Sequence, residues 1–460
     1  MDEESSLVST EFSEGSTHTD VDASSSSGSD ESRPLLLRQY ITAALLVIVT
    51  SVSYICIYLP ISFYPQVAAR MKGSKADTEV GLMVGSFQLS AFVASIFVGM
   101  HVNKLGVRFL VISGTFILGG TTLLFGFVDS VDTWAPFISL SILIRFIMGF
   151  GEAAFNAAAF TLVLSMFPSH TATAWAVLEL PEALGFMAGE PIGGFLYDSH
   201  GFLFPFVIFG GVLLIFIPVL LFFLSSIQSL IEEDDSDNDQ ATMWSLIKTM
   251  PMPVVFVCLN VFCSYAPLYF IDTTFAVYLS DTFGWSATKI GLVTLILAGS
   301  YIISSILMGR LVDATKPRVI MIIGLLLEGC SLMLIGPSFV FQFLPRPWLV
   351  YLAMVMCGLA LAMVDVSASP DIINSAVSMG YKQDMSLNGV VSGLILAAVF
   401  LSGALTAPLA GWLTATFGFR HASSFFAFIN FLLVIVTAVI SIVEVALSRR
   451  HCTVSSDSEC

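Results

Sequence analysis

Eight acidic residues stand inside long apolar runs of this sequence: Glu152, Glu179, Glu182, Glu190, Asp272, Glu328, Asp365 and Glu444. Only one base, Arg145, stands in the interior of such a run rather than at its edge. An ionisable group at bilayer depth costs at least about 2.5 kcal/mol, so it faces a cavity or a partner. Acids in this excess predict a net negative cavity, and such a cavity suits an organic cation. Its carboxylates would supply charge pairing, and aromatic walls would add cation–π contact. Burial favours the protonated form of an acid. An acid so placed can take up a proton when no amine occupies it, which is a physical route to exchange of proton for cation. A carrier of anions would instead carry several embedded Arg or Lys.

Helical spacing groups these residues. Arg145, Glu152 and Asn156 fall on one stripe. Two turns separate Arg145 from Glu152, roughly 10 Å, so they touch only if both side chains bend inward. Glu179 and Glu190 share a face, with Glu182 beside them. Tyr265, Tyr269, Asp272 and Ala276 form a stripe, Tyr54 and Tyr58 another, and Asp365 stands with Ser369. Glu179, Asp272 and Asp365 are the leading candidates for substrate or proton handling, with Arg145, Glu152, Glu190 and Tyr269 in support. Structural roles compete with each assignment. Arg145 can anchor backbone carbonyls, the Tyr stripes can be packing, Glu182 can lie near a helix end, and Glu190 can hinge or gate. Glu444 lies near a helix end and carries no role. No Ser-His-Asp set, phosphate-cradling Gly loop or zinc-like Cys spacing is present, so the expectation is a protein that is no enzyme and needs no metal or cofactor.

The elements that must hold these residues are membrane spans. The chain has 460 residues, 56% of them hydrophobic and 11% charged. That charge is too little to cover a soluble protein of this size and argues against a nucleic-acid partner. A span needs about 20 mostly apolar residues. Such runs occur near 39–62, 80–100, 107–128, 136–163, 172–197 and 202–224, then near 252–278, 286–309, 318–336, 347–370, 387–413 and 421–446. The expected fold is an all-α membrane protein of twelve transmembrane helices in two six-helix bundles, 39–224 and 252–447. The net charge of −16 is concentrated outside them, in the tail 1–38 and the acidic linker 225–251. Composition predicts disorder in both. A further tail covers 448–460. No cleavable signal peptide is read at the start, and the first span is expected to act as its own insertion signal. With the N-terminus in the cytosol, eleven Lys and Arg fall on the cytosolic side and six opposite, which favours both termini inside.

The two halves echo each other. Gly99, Asn103, Lys104 and Arg108 follow the second span; Gly309, Asp313, Lys316 and Arg318 follow the eighth. Gly185, Gly189, Pro191, Gly193 and Gly194 in the fifth span correspond to Gly403, Pro408 and Gly411 in the eleventh. Repeats of this kind mark duplicated helical units with a site between them.

These motifs resemble those of the major facilitator superfamily. The loop pattern is similar to its motif A, Arg145 with Gly149, Gly151 and Ala153 to motif B, and the fifth-span run to motif C, which is associated with antiporters. Three departures stand out: Asn103 replaces an acid, Lys316 replaces a Gly, and Glu190 interrupts a Gly-Pro step. Arg145 to Pro191, Leu178-Glu179, Gly193 to Tyr197 and Phe270-Ile271-Asp272 most resemble the vesicular amine transporter branch, polyamine-type members. The resemblance implies secondary transport by alternating access, with gating at the loop motifs, a hinge at the fifth-span glycines and a ninth span, bearing Glu328, outside the cavity. It implies proton-coupled antiport of an organic amine, with the bilayer, protons and a small cation as partners and a monomeric carrier. Carriage of a drug-like molecule or small carboxylate, and a non-transporting sensor or scaffold, remain alternatives. Glu31, Leu35 and Leu36 fit an acidic dileucine signal read by adaptor proteins, pointing to vesicular, lysosomal or endosomal membranes, with the plasma membrane as an alternative.

Overall fold

The computed structural model describes residues 27–166, 171–225, 252–336, 345–378 and 385–456. Their side chains are described except at 27–36, 99–104, 164–165, 171–180, 183, 252, 313, 385–390, 392 and 443–456. Among the described residues the chain forms thirteen α-helices, one 3-10 turn and no strand. The first half contains α1 (Ser27–Tyr58), a short α2 (Tyr64–Lys72), α3 (Asp77–Leu105), α4 (Val107–Gly126), α5 (Trp134–Met166), α6 (Thr171–His200) and α7 (Leu203–Ser225). The second contains α8 (Met252–Phe283), α9 (Ala287–Ala314), α10 (Pro317–Ile335), α11 (Pro347–Ser378), α12 (Met385–Phe417) and α13 (Phe419–Ser456). Twelve of these are long, as expected. Eleven are long and apolar enough, within the described residues, to cross a bilayer. The remaining long helix is α6, which carries Glu179, Glu182 and Glu190 with Pro181 and Pro191 inside it.

Helix ends differ from the sequence boundaries. α1 begins inside the segment 1–38 and α13 runs past residue 447. Extending an existing helix costs far less than nucleating one, so the spans propagate into their flanks. Asn103, Lys104 and Asp313 likewise stand on final helical turns rather than in loops. Gly106, at φ 84°, then breaks the chain between α3 and α4. The second half turns without glycine: Lys316 is extended and Pro317 opens α10, where a missing N–H costs nothing.

The same packing recurs in both halves. In the first, α3 and α4 pack on α5, α4 also on α7, and α1 on α6. In the second, α9 and α10 pack on α11, α10 also on α13, and α8 on α12. The halves meet where α3 crosses α12 and where α6 crosses α9. Each of these crossings is the counterpart of the other under the exchange of halves. Small residues permit the approach. A Cβ on Gly85 would stand 2.7 Å from the Pro408 ring, and one on Gly194 would stand 2.5 Å from the Ala287 carbonyl. Gly291 meets the Glu190 carbonyl as closely, and Gly411 meets that of Asp77. All these contacts lie toward the end remote from the start of α1 and the end of α13, so the halves are shut there. Phe63, Tyr64, Phe125, Phe137 and Phe206 pack together at that end in the first half. The outer faces are apolar and open, with Phe116, Ile215, Phe222 and Ile306 among the exposed residues, as a lipid-facing surface requires.

Candidate functional site

A cavity of about 550 Å³ lies between the halves. Its acidic wall is built by three helices of the second half. Tyr301 of α9 donates to Asp365 Oδ2 of α11 at 2.7 Å, and Tyr265 of α8 donates to Oδ1 at 3.3 Å. The two phenols fix the carboxylate and leave its charge directed at the cavity, with Ser369 one turn further along α11. Facing it from the first half are Glu182 and Phe186 of α6 and Tyr58 of α1. Tyr58 and Phe186 meet edge to face, centroids 5.0 Å apart.

Glu182 opens a polar chain into the first half. Tyr54 donates to Glu182 Oε2 at 3.2 Å, Asn156 donates to the Tyr54 oxygen at 3.0 Å, and the Asn156 amide also donates to Glu152 Oε1 at 2.7 Å. Glu152 and Asn156, one turn apart on α5, are therefore bonded to each other, as a shared stripe allows. Arg145 does not join them. Its guanidinium donates to the Ile57 carbonyl at 2.8 Å, contacts the Met83 and Met148 sulfurs, and lies over the rings of Phe87 and Phe125 at 5.7 Å each. That is the structural anchoring which competes with a cavity role.

The remaining acids are elsewhere. Glu190 of α6 and Asp272 of α8 share a separate void of about 10 Å³, closed over by Ile61, Ile290 and Thr294. Both are buried, at 1% and 4% exposure. Glu328 is fully buried within the second half, among α8, α10 and α11, and lines neither cavity.

The sequence profile of the Major Facilitator Superfamily matches residues 46–261 and 257–450, nearly all of both halves. The chain belongs to the Major Facilitator Superfamily. The human protein named MFS-type transporter SLC18B1 is 32% identical over 375 residues, covering 81% of this chain and 80% of that protein. The human synaptic vesicular amine transporter is 20% identical over 372 residues, 77% of this chain and 65% of its own. Among solved structures, the nucleoside transporter NupG superposes with a TM-score of 0.67 at 12% identity, over 86% of this chain and 98% of that one. A bacterial homologue of the human lysosomal transporter Spinster, in an inward-facing and unoccupied conformation, gives 0.67 at 14%, over 87% and 96%. The two structures share the fold. The chain is thus a multi-pass facilitator transporter of the membrane, not an enzyme.

Within this facilitator frame the expected single chamber is divided. Asp365 lines the large cavity, whereas Asp272 lies in the small one. The reason is that α6 and α9 press together at the shut end and seal Asp272 and Glu190 away. The Glu179 side chain lies outside the described residues, as do those of Glu31, Leu35, Leu36, Gly99, Asn103, Lys104 and Asp313. Tyr269 turns from the cavity and packs against Gly403 and Gln88. Arg318 donates to Asp371 at 2.9 Å and to Ser375 at 3.3 Å, tying α10 to the end of α11. Arg108 and Gly309 hold the equivalent places after the second span and in the eighth. The fifth-span glycines lie in one continuous helix as contact points: Gly185 against Tyr54, Gly189 against Tyr58, and Gly193 against Leu59. Pro191 stays within the helix.

Sequence reading missed Tyr301, since a lone tyrosine in a span has no pattern to betray it. It also missed two ties at the shut end. Asp198 of α6 accepts from the Thr288 amide at 2.8 Å and from its hydroxyl, capping α9 across the halves. Lys75 pairs with Asp281 at 3.6 Å. An acid two residues before the end of its own helix gives no local signal of a cap on another.

Proposed function

We propose that this transporter exchanges protons for an organic amine by alternating access. The observation that carries the reading is Asp365, held by two tyrosines in a cavity of about 550 Å³ and faced by Glu182 from the other half. An ammonium group can pair with either carboxylate and lie against the Tyr58 and Phe186 rings. Two acids contributed by opposite walls suit a linear diamine or polyamine better than a single charge. A small carboxylate would need an embedded base at the cavity, and Arg145 is engaged at the Ile57 carbonyl instead. The similarity to proteins named amine transporters supports the same reading.

With both termini in the cytosol, the cavity opens to the cytosol and the shut end faces the lumen. The cycle then loads an amine from the cytosol and exports it into an acidic compartment as a proton returns. Residence in vesicular, lysosomal or endosomal membranes, reached through adaptor binding at Glu31, Leu35 and Leu36, completes this reading, with the carrier acting as a monomer. The test is binding of a labelled diamine to the purified chain in lipid nanodiscs. Saturable binding that is competed by amines, indifferent to small carboxylates and lost in Asp365→Asn supports it. Equal competition by carboxylates, or full binding by Asp365→Asn, overturns it.

A further inference from the structure

Glu190 departs from the Gly-Pro step around it and has no place in the amine cavity. It projects from α6 of the first half, and Asp272 from α8 of the second, into one void. Glu190 is 1% exposed, and its Oε2 has no hydrogen-bond partner. A void of about 10 Å³ is at the limit of room for one water. No amine or hydrated ion fits there. Two carboxylates enclosed together with room for at most one water cannot both keep a full charge at small cost; a proton between them removes the conflict.

The groups around the pair offer little other relief. Tyr58 of α1, Tyr269 of α8 and Arg145 of α5 stand within electrostatic reach of the pair but do not line the void. α9 contributes Ile290 and Thr294, neither of which titrates, although the Thr294 hydroxyl reaches the Glu190 carboxylate and leaves Oε2 as the unpartnered oxygen. Ser62, before α2, is spent on the Glu190 backbone carbonyl at 3.0 Å. Among the described residues Arg145 is the one positive charge in electrostatic reach of Asp272, and it is already bonded to Ile57 and enclosed by Phe87 and Phe125. One cation balances one of the two acids, and a single proton accounts for the other.

Resting on the proton-exchange reading above, we propose that Glu190 and Asp272 share one proton that latches the halves shut, apart from the acids that hold the amine and from the proton that crosses in exchange for it. Closure of this end brings the two carboxylates into one small enclosed void and requires the proton. Opening it parts α6 from α8 and α9, admits water to both acids and returns the proton to the side from which it came. The closed end is then favoured as pH falls, by up to about tenfold per pH unit for one proton.

The experiment uses the full-length chain in lipid nanodiscs, labelled at Asp132→Cys and Arg346→Cys, exposed positions one on each half at the shut end. Native cysteines are replaced by alanine, and diamine binding is checked on the same samples. Distances between the labels are read from pH 5 to pH 8. The expected result is a closed fraction that falls with rising pH in the parent. Glu190→Gln, which keeps the size but not the charge, should stay closed at every pH. Asp272→Asn should also lose the slope, and either variant alone suffices should the other misfold. Asp365→Asn should lose the diamine and keep the slope. A parent distance indifferent to pH, a Glu190→Gln slope equal to the parent's, or a slope lost with Asp365 overturns the proposal. A parent that keeps the slope but binds no amine leaves the latch standing and sinks the amine reading.

Discussion

Two acidic places lie between the same two halves, and they differ in room. At Asp365 the wall is open, two phenols orient the carboxylate, and about 550 Å³ stands before it. At Glu190 and Asp272 the helices meet, and about 10 Å³ remains. The chemistry of the groups is alike, so space decides the occupant: an organic cation in one place, a proton in the other. The contrast also separates binding from gating. The first place is formed by side chains that reach across a gap, the second by backbones brought together at Gly194, Gly291 and their partners.

The largest effect expected is at the roomy place. Asp365→Asn removes a charge-assisted contact worth about 1.5–3 kcal/mol, so amine affinity in nanodisc binding should fall up to about 100-fold. Equal affinity in that variant would erase the distinction between the two places. At the tight place, Gly194→Val drives a side chain toward the Ala287 carbonyl. Overpacking of this kind costs about 1–3 kcal/mol, so the closed population should drop about 30-fold by the label distances, with amine binding retained. Smaller effects sharpen the picture. Tyr301→Phe removes one of two donors to Asp365, about 1 kcal/mol, and should weaken amine binding about 5-fold. Asp198→Ala removes the cross-half cap on α9, and the closed population should fall about 3-fold with no change in binding.

Much of this was legible before any coordinates. Twelve apolar runs, the polar linker and the paired loop motifs define the two bundles, because hydropathy over twenty residues is a local property. The acids were legible as a set, since a charge in an apolar run stands out by itself. Their partition was not. Helical spacing places Asp272 and Tyr269 on one face of α8, yet whether that face meets a cavity or another helix depends on α3, α6, α9 and α12. Tyr301 and Asp365 come from different helices and meet only after folding. Glu182 gained importance from Tyr54 and Asn156, which approach it from α1 and α5. Asp198 shows the same lesson at a helix end, since its hydrogen-bond partner is 90 residues away in the chain.

The central claim is exchange at a cation-binding carboxylate, and transport in proteoliposomes with an acidic interior tests it most directly. A labelled diamine should accumulate inside as internal pH rises, a protonophore should abolish the accumulation, and Asp365→Asn should show neither signal. Accumulation without proton movement, or the absence of amine uptake beside uptake of a small carboxylate, would contradict it.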